Sequence, residues 1–215
     1  MATHHIRTSF WIALISFVAP GVALSATPAF DCAKADSSAE KAICASDMLA
    51  ELDVELDRLY RLALNDSALG ADRQAELKAM QRGWIKGRDA CWTSDLPMET
   101  CVANAYAMRI HEIREGYAAS RGADDHGVSL GPVAFDCPDL NAGLSAVFIN
   151  AETPLVTLKW LENAIVLPAV PAASGARYES DIWVDGPAML WTKGDEAMFT
   201  PPGGPEMICQ LDDIG

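Results

Sequence analysis

The chain has 215 residues, half of them hydrophobic, and a formal net charge of −14. That length supports one or two small domains with modest cores, and that apolar share excludes a disordered chain. The charge excludes sequence-independent binding to nucleic acid and adsorption to an anionic membrane, and it favours a basic partner.

The first ten residues, MATHHIRTSF, hold Arg7 and no acid, and the apolar run FWIALISFVAP follows. That run is too short for a comfortable membrane span, and GVALSATPAF then offers small residues for cleavage. Residues 1–26 therefore read as an export signal. The mature protein is expected to be soluble, in the periplasm or secreted, with no membrane partner after cleavage. Cys32 follows Pro-Ala-Phe-Asp, which is not a lipoprotein acylation box. The six cysteines, Cys32, Cys44, Cys91, Cys101, Cys137 and Cys209, are an even count in an exported chain and imply three disulfides. No Cys-x-x-Cys occurs, and beyond the signal the only histidines are His111 and His126, so no metal site is expected.

Residues 27–119 read as helical. In SSAEKAIC, Ser37 precedes Glu40 by three residues, a capping-box pattern. SDMLAELDVELDRLYRLALN then places Leu49, Leu52, Leu56, Leu59 and Ala63 on one helix face. A second helix, ADRQAELKAMQRGWIKGRDAC, carries Leu77, Met80, Trp84 and Ile85 on its apolar side, and Arg88-Asp89 is expected to cap or brace it. A third, over 98–119, carries Val102, Tyr106, Ile110, Ile113 and Tyr117. Short connections make neighbouring helices antiparallel, which gathers the four N-terminal cysteines at one end. Cys91–Cys101 and Cys32–Cys44 are the favoured pairs, although four cysteines allow three pairings.

Residues 120–132, SRGADDHGVSLGP, read as a linker whose ends lie roughly 20 Å apart as a flexible coil. Beyond it the period changes. LSAVFIN, PLVTLKW and ENAIVLP are short, β-branched and partly alternating, which predicts strands. Residues 133–215 thus form a small antiparallel sheet or barrel. Cys137 and Cys209 bracket it, and tying its ends adds about 4 kcal/mol in the chain-entropy view. The fold class is α+β with two domains, a helical bundle followed by a small β-barrel, each expected to fold by itself. The acidity belongs to the second: residues 27–121 hold 12 Lys/Arg against 16 Asp/Glu, and residues 122–215 hold 3 against 14.

No catalytic constellation stands in the sequence. His111 is mid-helix and reads as solvated or half-buried, while His126 is in the linker. Every cysteine has an expected partner, so none is a free nucleophile. No glycine-rich phosphate loop or cofactor motif occurs. The chain therefore reads as a binding protein, not an enzyme, and without a cofactor.

Only three cations occur over 133–215: Lys159, Arg177 and Lys193. Two of them sit in ASGARY and WTKGDEA. With the bracketing cysteines and the final CQL, these motifs resemble the MliC/PliC-type inhibitors of c-type lysozyme over about 135–211. The first domain resembles the LprI N-terminal family through FDCAKADSSAEKAICAS, LDVELDRLYRLAL, QRGWIKGRDAC and CVANAYAMRI. The barrel resemblance implies eight antiparallel strands and a lysozyme-binding set: Ser174 and Lys193 entering the cleft, Tyr178 shaping the loop, and Gly175, Arg177 and Thr192 beside them. The partner it implies is lysozyme, a basic protein, with the c-type favoured. Lysozyme's cleft holds one protonated and one ionised carboxyl group. An ammonium neutralises the second and donates three hydrogen bonds.

The connection ESDIWVDGPAML is longer than the family pattern and is expected to extend a hairpin around VDGP, adding contacts through Trp183 or blocking the usual approach. Plainer readings exist for the same residues. Lys193-Gly194-Asp195 alone is most often a solvated turn. Arg177 beside Glu179 and Asp181 reads as a surface ion pair. Trp84, Trp183 and Trp191 fit core or sheet-face positions. The alternative function is an envelope binding or scaffolding module for endogenous peptidoglycan-cleaving enzymes or glycans.

Overall fold

The computed structural model describes residues 26–122 and 126–212. The export-signal reading lies outside these residues except for Ala26. Helix α1, Ser38–Ala45, starts at a complete capping box: the Ser37 hydroxyl accepts from the Glu40 amide, and the Glu40 carboxylate accepts from the Ser37 amide. Amide donation from Asp36 and Ser37 holds the Glu40 carboxyl below its ordinary range. Ser46 ends α1 and caps α2, Asp47–Leu64. The face Leu49, Leu52, Leu56, Leu59 and Ala63 of α2 is fully buried.

Helix α3, Ala71–Asp89, departs from its predicted face. Leu77 is buried and Trp84 half-buried, but Met80 and Ile85 are 47% and 38% exposed. The buried place near its end goes to Arg88, which donates to the Tyr106 hydroxyl at 2.8 Å and to Asp89 at 2.7 Å. Helix α4, Met98–Gly116, stops before the expected 119, because Tyr117 is already extended. Val102, Tyr106, Ile110 and Ile113 of α4 are fully buried. Disulfides Cys32–Cys44 and Cys91–Cys101 tie one end of the bundle. There the Ser37 hydroxyl also donates to Asp89 at 3.2 Å, joining the start of α1 to the end of α3.

Eight strands follow: β1 Ser129–Cys137, β2 Ala142–Ile149, β3 Leu155–Trp160, β4 Asn163–Val170, β5 Ala176–Ser180, β6 Ala188–Lys193, β7 Glu196–Thr200 and β8 Met207–Asp212. They pair in chain order, each antiparallel to the next, and β8 closes on β1. Cys137 in β1 is bonded to Cys209 in β8. The stretch read as linker is shorter than expected. A turn of 3-10 helix occupies Ala118–Arg121, and β1 takes the last four residues from Ser129, with a bulge between Leu130 and Val133.

The partial alternation of the strands has a physical cause. In β2 to β4, Leu144, Ala146, Val156, Leu158, Ile165 and Leu167 fill the barrel. Val147, Ile149, Leu155 and Val166 face outward yet are also buried, in one core with Leu49, Ile110 and Ile113 of the helices. Strands buried on both faces lose the polar half of their pattern. Helix α4 therefore lies on the outside of the barrel, and the two halves share a core rather than meeting only through a tether.

Polar contacts pin the same surface. His111 is fully buried, not solvated or half-buried as its mid-helix place suggests. Its Nδ1 is 2.7 Å from Thr157 Oγ1 and its Nε2 is 3.0 Å from Ser145 Oγ. The Thr157 hydroxyl donates its one proton to the Val147 carbonyl, so Nδ1–H donates to Thr157 and Nε2 accepts from Ser145. Burial, with the Lys159 charge adding to it, lowers the His111 pKa to about 4, against the opposing pull of Glu115. Buried Glu55 accepts from the amide and hydroxyl of Ser129, Arg114 donates to the Gly131 carbonyl at 2.6 Å, and Lys159 pairs with Glu115.

Candidate functional site

Antiparallel strands in chain order send alternate connections to the same end of a barrel. The β4–β5 loop, residues 171–175, and the β6–β7 turn, residues 194–195, therefore share one rim. The two are stitched together. Ala176 pairs with Thr192 and Arg177 with Trp191. The Trp191 indole donates to the Ser174 carbonyl at 2.8 Å, and the Thr192 hydroxyl donates to the Ala176 carbonyl at 3.4 Å. Gly175 has φ 68°, and a β-carbon there would stand 2.1 Å from the Thr192 carbonyl oxygen. Only glycine lets the loop lie this close against β6.

Lys193 is exposed and pairs with Glu196 across a two-residue turn whose first member, Gly194, has φ 63°. Of the three barrel cations, Lys159 is bound to Glu115 and Arg177 to Glu179 at 2.7 Å, while Lys193 has no ion pair among the described residues. Arg177 also stands over Trp191, 6.0 Å from the ring centroid. The ion pair read for Arg177 is thus present, through Glu179.

Ser174, Gly175, Arg177, Thr192 and Lys193 come together on the rim. Tyr178 does not join them at the surface. It is 5% exposed, its side chain points into the barrel toward Phe148, 5.8 Å between centroids, and burial raises its pKa. Tyr178 can shape the β4–β5 region only from inside. Trp191, which the sequence places in the core or on a sheet face, lies on the outer sheet face and also holds the loop through Ser174. Its signal was available: Ala188 and Leu190 point inward, so Trp191 points outward beside the 174 loop.

The longer connection adds no strand. The β5–β6 ladder ends at Ser180 and Ala188, leaving residues 181–187 as a loop at the opposite end of the barrel from Lys193. Trp183 packs on the barrel core from there, and Val184 is fully exposed. The loop therefore neither extends the hairpin nor blocks the rim.

Among the described residues no group of three or more His, Cys, Asp or Glu could hold a metal ion, and no helix is long and apolar enough to cross a membrane. The described residues thus form a disulfide-tied helical bundle packed on a closed barrel, whose rim presents a polar loop and a lysine with no ion pair among them.

Residues 32–121 match the family "Lysozyme inhibitor LprI", and residues 135–207 match the family "Membrane-bound lysozyme-inhibitor of c-type lysozyme", MliC. The first match falls on the helical bundle and the second on the barrel, and both families are described as lysozyme inhibitors. No curated protein and no solved structure matches it. These families, with three disulfides, point to an envelope or secreted location.

Proposed function

We propose that the protein is an exported, non-catalytic inhibitor of c-type lysozyme that occludes the catalytic cleft with the barrel rim and so protects peptidoglycan. The observation that carries this reading is Lys193: among the described residues the one barrel cation without an ion-pair partner, at a tight turn, beside a loop held in shape by Gly175 and Trp191. In this reading the Lys193 ammonium pairs with the ionised carboxylate of the cleft, and the Ser174 hydroxyl bonds to either carboxyl group. A small exposed hydroxyl and a narrow turn suit a concave target. Thr192 and Arg177 flank the contact, while Gly175 and Tyr178 hold the loop.

The rest of the barrel is acidic, and lysozyme is basic outside its cleft. Attraction over the whole face speeds encounter, and the lone cation sets the register. The test is a turbidity assay of c-type lysozyme on cell walls with the purified mature protein, beside calorimetric titration. Lysis that continues at saturating protein, with no heat of binding, would sink the proposal.

A further inference from the structure

The junction of bundle and barrel contains a cleft of about 550 Å³. It exists because the β4–β5 ladder is short. Only Ala169 with Tyr178 and Val170 with Arg177 are paired, although β4 starts at Asn163 and β5 continues to Ser180. Beyond Tyr178 the two strands part, and the first half of α4 stands beside the gap. Leu155, Val166 and Ile182 provide an apolar floor, and Glu99, Glu152 and Asp181 stand around it. Glu99 accepts from the Ser46 hydroxyl, but the carboxylates of Glu152 and Asp181 have no partner among the described residues. An apolar floor with free carboxylates at its edge suits one kind of group: a cation on a methylene stem, as in Lys and Arg.

We infer that this cleft is a second contact for the same lysozyme molecule, receiving Arg or Lys side chains from its basic surface outside the catalytic groove. The inference rests on the lysozyme reading above. Three features connect the cleft to the rim. The β2–β3 connection, which carries Glu152, opens at the same barrel end as the loops of Ser174 and Lys193. Strand β5 carries Arg177 at the rim and Glu179 in the cleft wall, and these two form an ion pair. The rim loops alone are too small: a stable interface uses about 20–30 residues a side, so the footprint must spread onto neighbouring surface. The cleft is neighbouring surface of the right charge. The helical domain then has a direct part in inhibition, because α4 supplies one wall.

Binding kinetics of the full mature chain with c-type lysozyme test this. The variants are Glu152→Gln with Asp181→Asn, Ile182→Ser alone, and Lys193→Ala. A control, Glu162→Gln with Glu206→Gln, removes the same charge at two turns that do not line the cleft. The cleft pair and Ile182→Ser are each expected to speed dissociation about five- to tenfold. The control should change only association and its salt dependence. All these positions are exposed, and unchanged melting temperatures verify folding. Wild-type dissociation in both cleft variants, with binding weakened by Lys193→Ala, overturns the second contact and leaves the lysozyme reading standing. Absence of binding by the wild-type chain overturns both.

Discussion

Lys193 differs from the other barrel cations in having no carboxylate to hold it among the described residues. Lys193→Ala is therefore expected to weaken lysozyme binding by about 2–4 kcal/mol, the range for one partner of a desolvated charge pair. Lys193→Glu should be worse, because it sets like charges together. Ser174→Ala should cost about 1–2 kcal/mol, the scale of one buried hydrogen bond. Calorimetric titration measures all three; full affinity in Lys193→Ala would move the interface elsewhere. Gly175→Ala tests the loop's shape. It removes no contacting group, yet the positive φ and the Thr192 carbonyl leave no room for a β-carbon. Binding should fall while the proposed contact side chains remain. His111 makes a different prediction, in pH. Its folded pKa, about 4, lies below the unfolded value of about 6.5. The unfolded chain therefore binds a proton first as pH falls. The stability from a neutral buried His111 is complete above pH ~6.5 and is lost progressively toward pH ~4, about 3 kcal/mol in all. Denaturant melts of wild type and His111→Gln across this window check it. The variant should show the shallower pH dependence, and parallel curves would count against the assignment.

At the scale of elements, β1 and α4 do more than their sequences announce. β1 begins at Ser129, where its amide and hydroxyl meet Glu55 of α2, and Arg114 of α4 reaches Gly131 two residues on. The start of the barrel is thus held by the bundle. Its end is held by Cys209, bonded to Cys137 across a sequence separation of 72. Replacing both cysteines with serine should lower stability by about 4 kcal/mol, since the unfolded chain regains the freedom of a long open loop. The β1–β8 ladder should still form, so the loss should appear as an earlier denaturant midpoint with native circular dichroism retained. An unchanged midpoint would mean that strand pairing alone closes the barrel.

For the whole molecule, the shared core joins what the sequence reads as two independent units. A fragment starting at residue 133 loses Ser129 to Pro132 of β1 and exposes Val147, Ile149, Leu155 and Val166, each worth about 1.5–3 kcal/mol when buried. The full mature chain should therefore melt in one calorimetric transition, and the barrel fragment should melt earlier or not cooperatively. Two separate transitions, the second matching the isolated fragment, would restore the independent-domain reading. The charge is also a property of the whole. Residues 122–215 hold 3 Lys/Arg against 14 Asp/Glu, so association with a basic lysozyme should slow steeply as salt rises, while dissociation changes little.

Much of this architecture is local and legible in the chain. The Ser37–Glu40 capping box, the Leu49 to Ala63 stripe, the Val102 to Ile113 stripe and the change to period two depend on neighbours a few residues apart. So does the glycine turn that lifts Lys193, which is why sequence alone determined the helix–barrel order and the rim motifs. What only the tertiary structure decided involves residues far apart in the chain. His111 is buried because β2 and β3 arrive beside it, Tyr178 turns inward because the barrel closes, and Met80 and Ile85 stay exposed because no described element covers that side of α3. The cleft, likewise, comes from a ladder that stops after two pairs. Burial is set by everything that packs on a residue, and periodicity reports only which side of its own element that residue occupies.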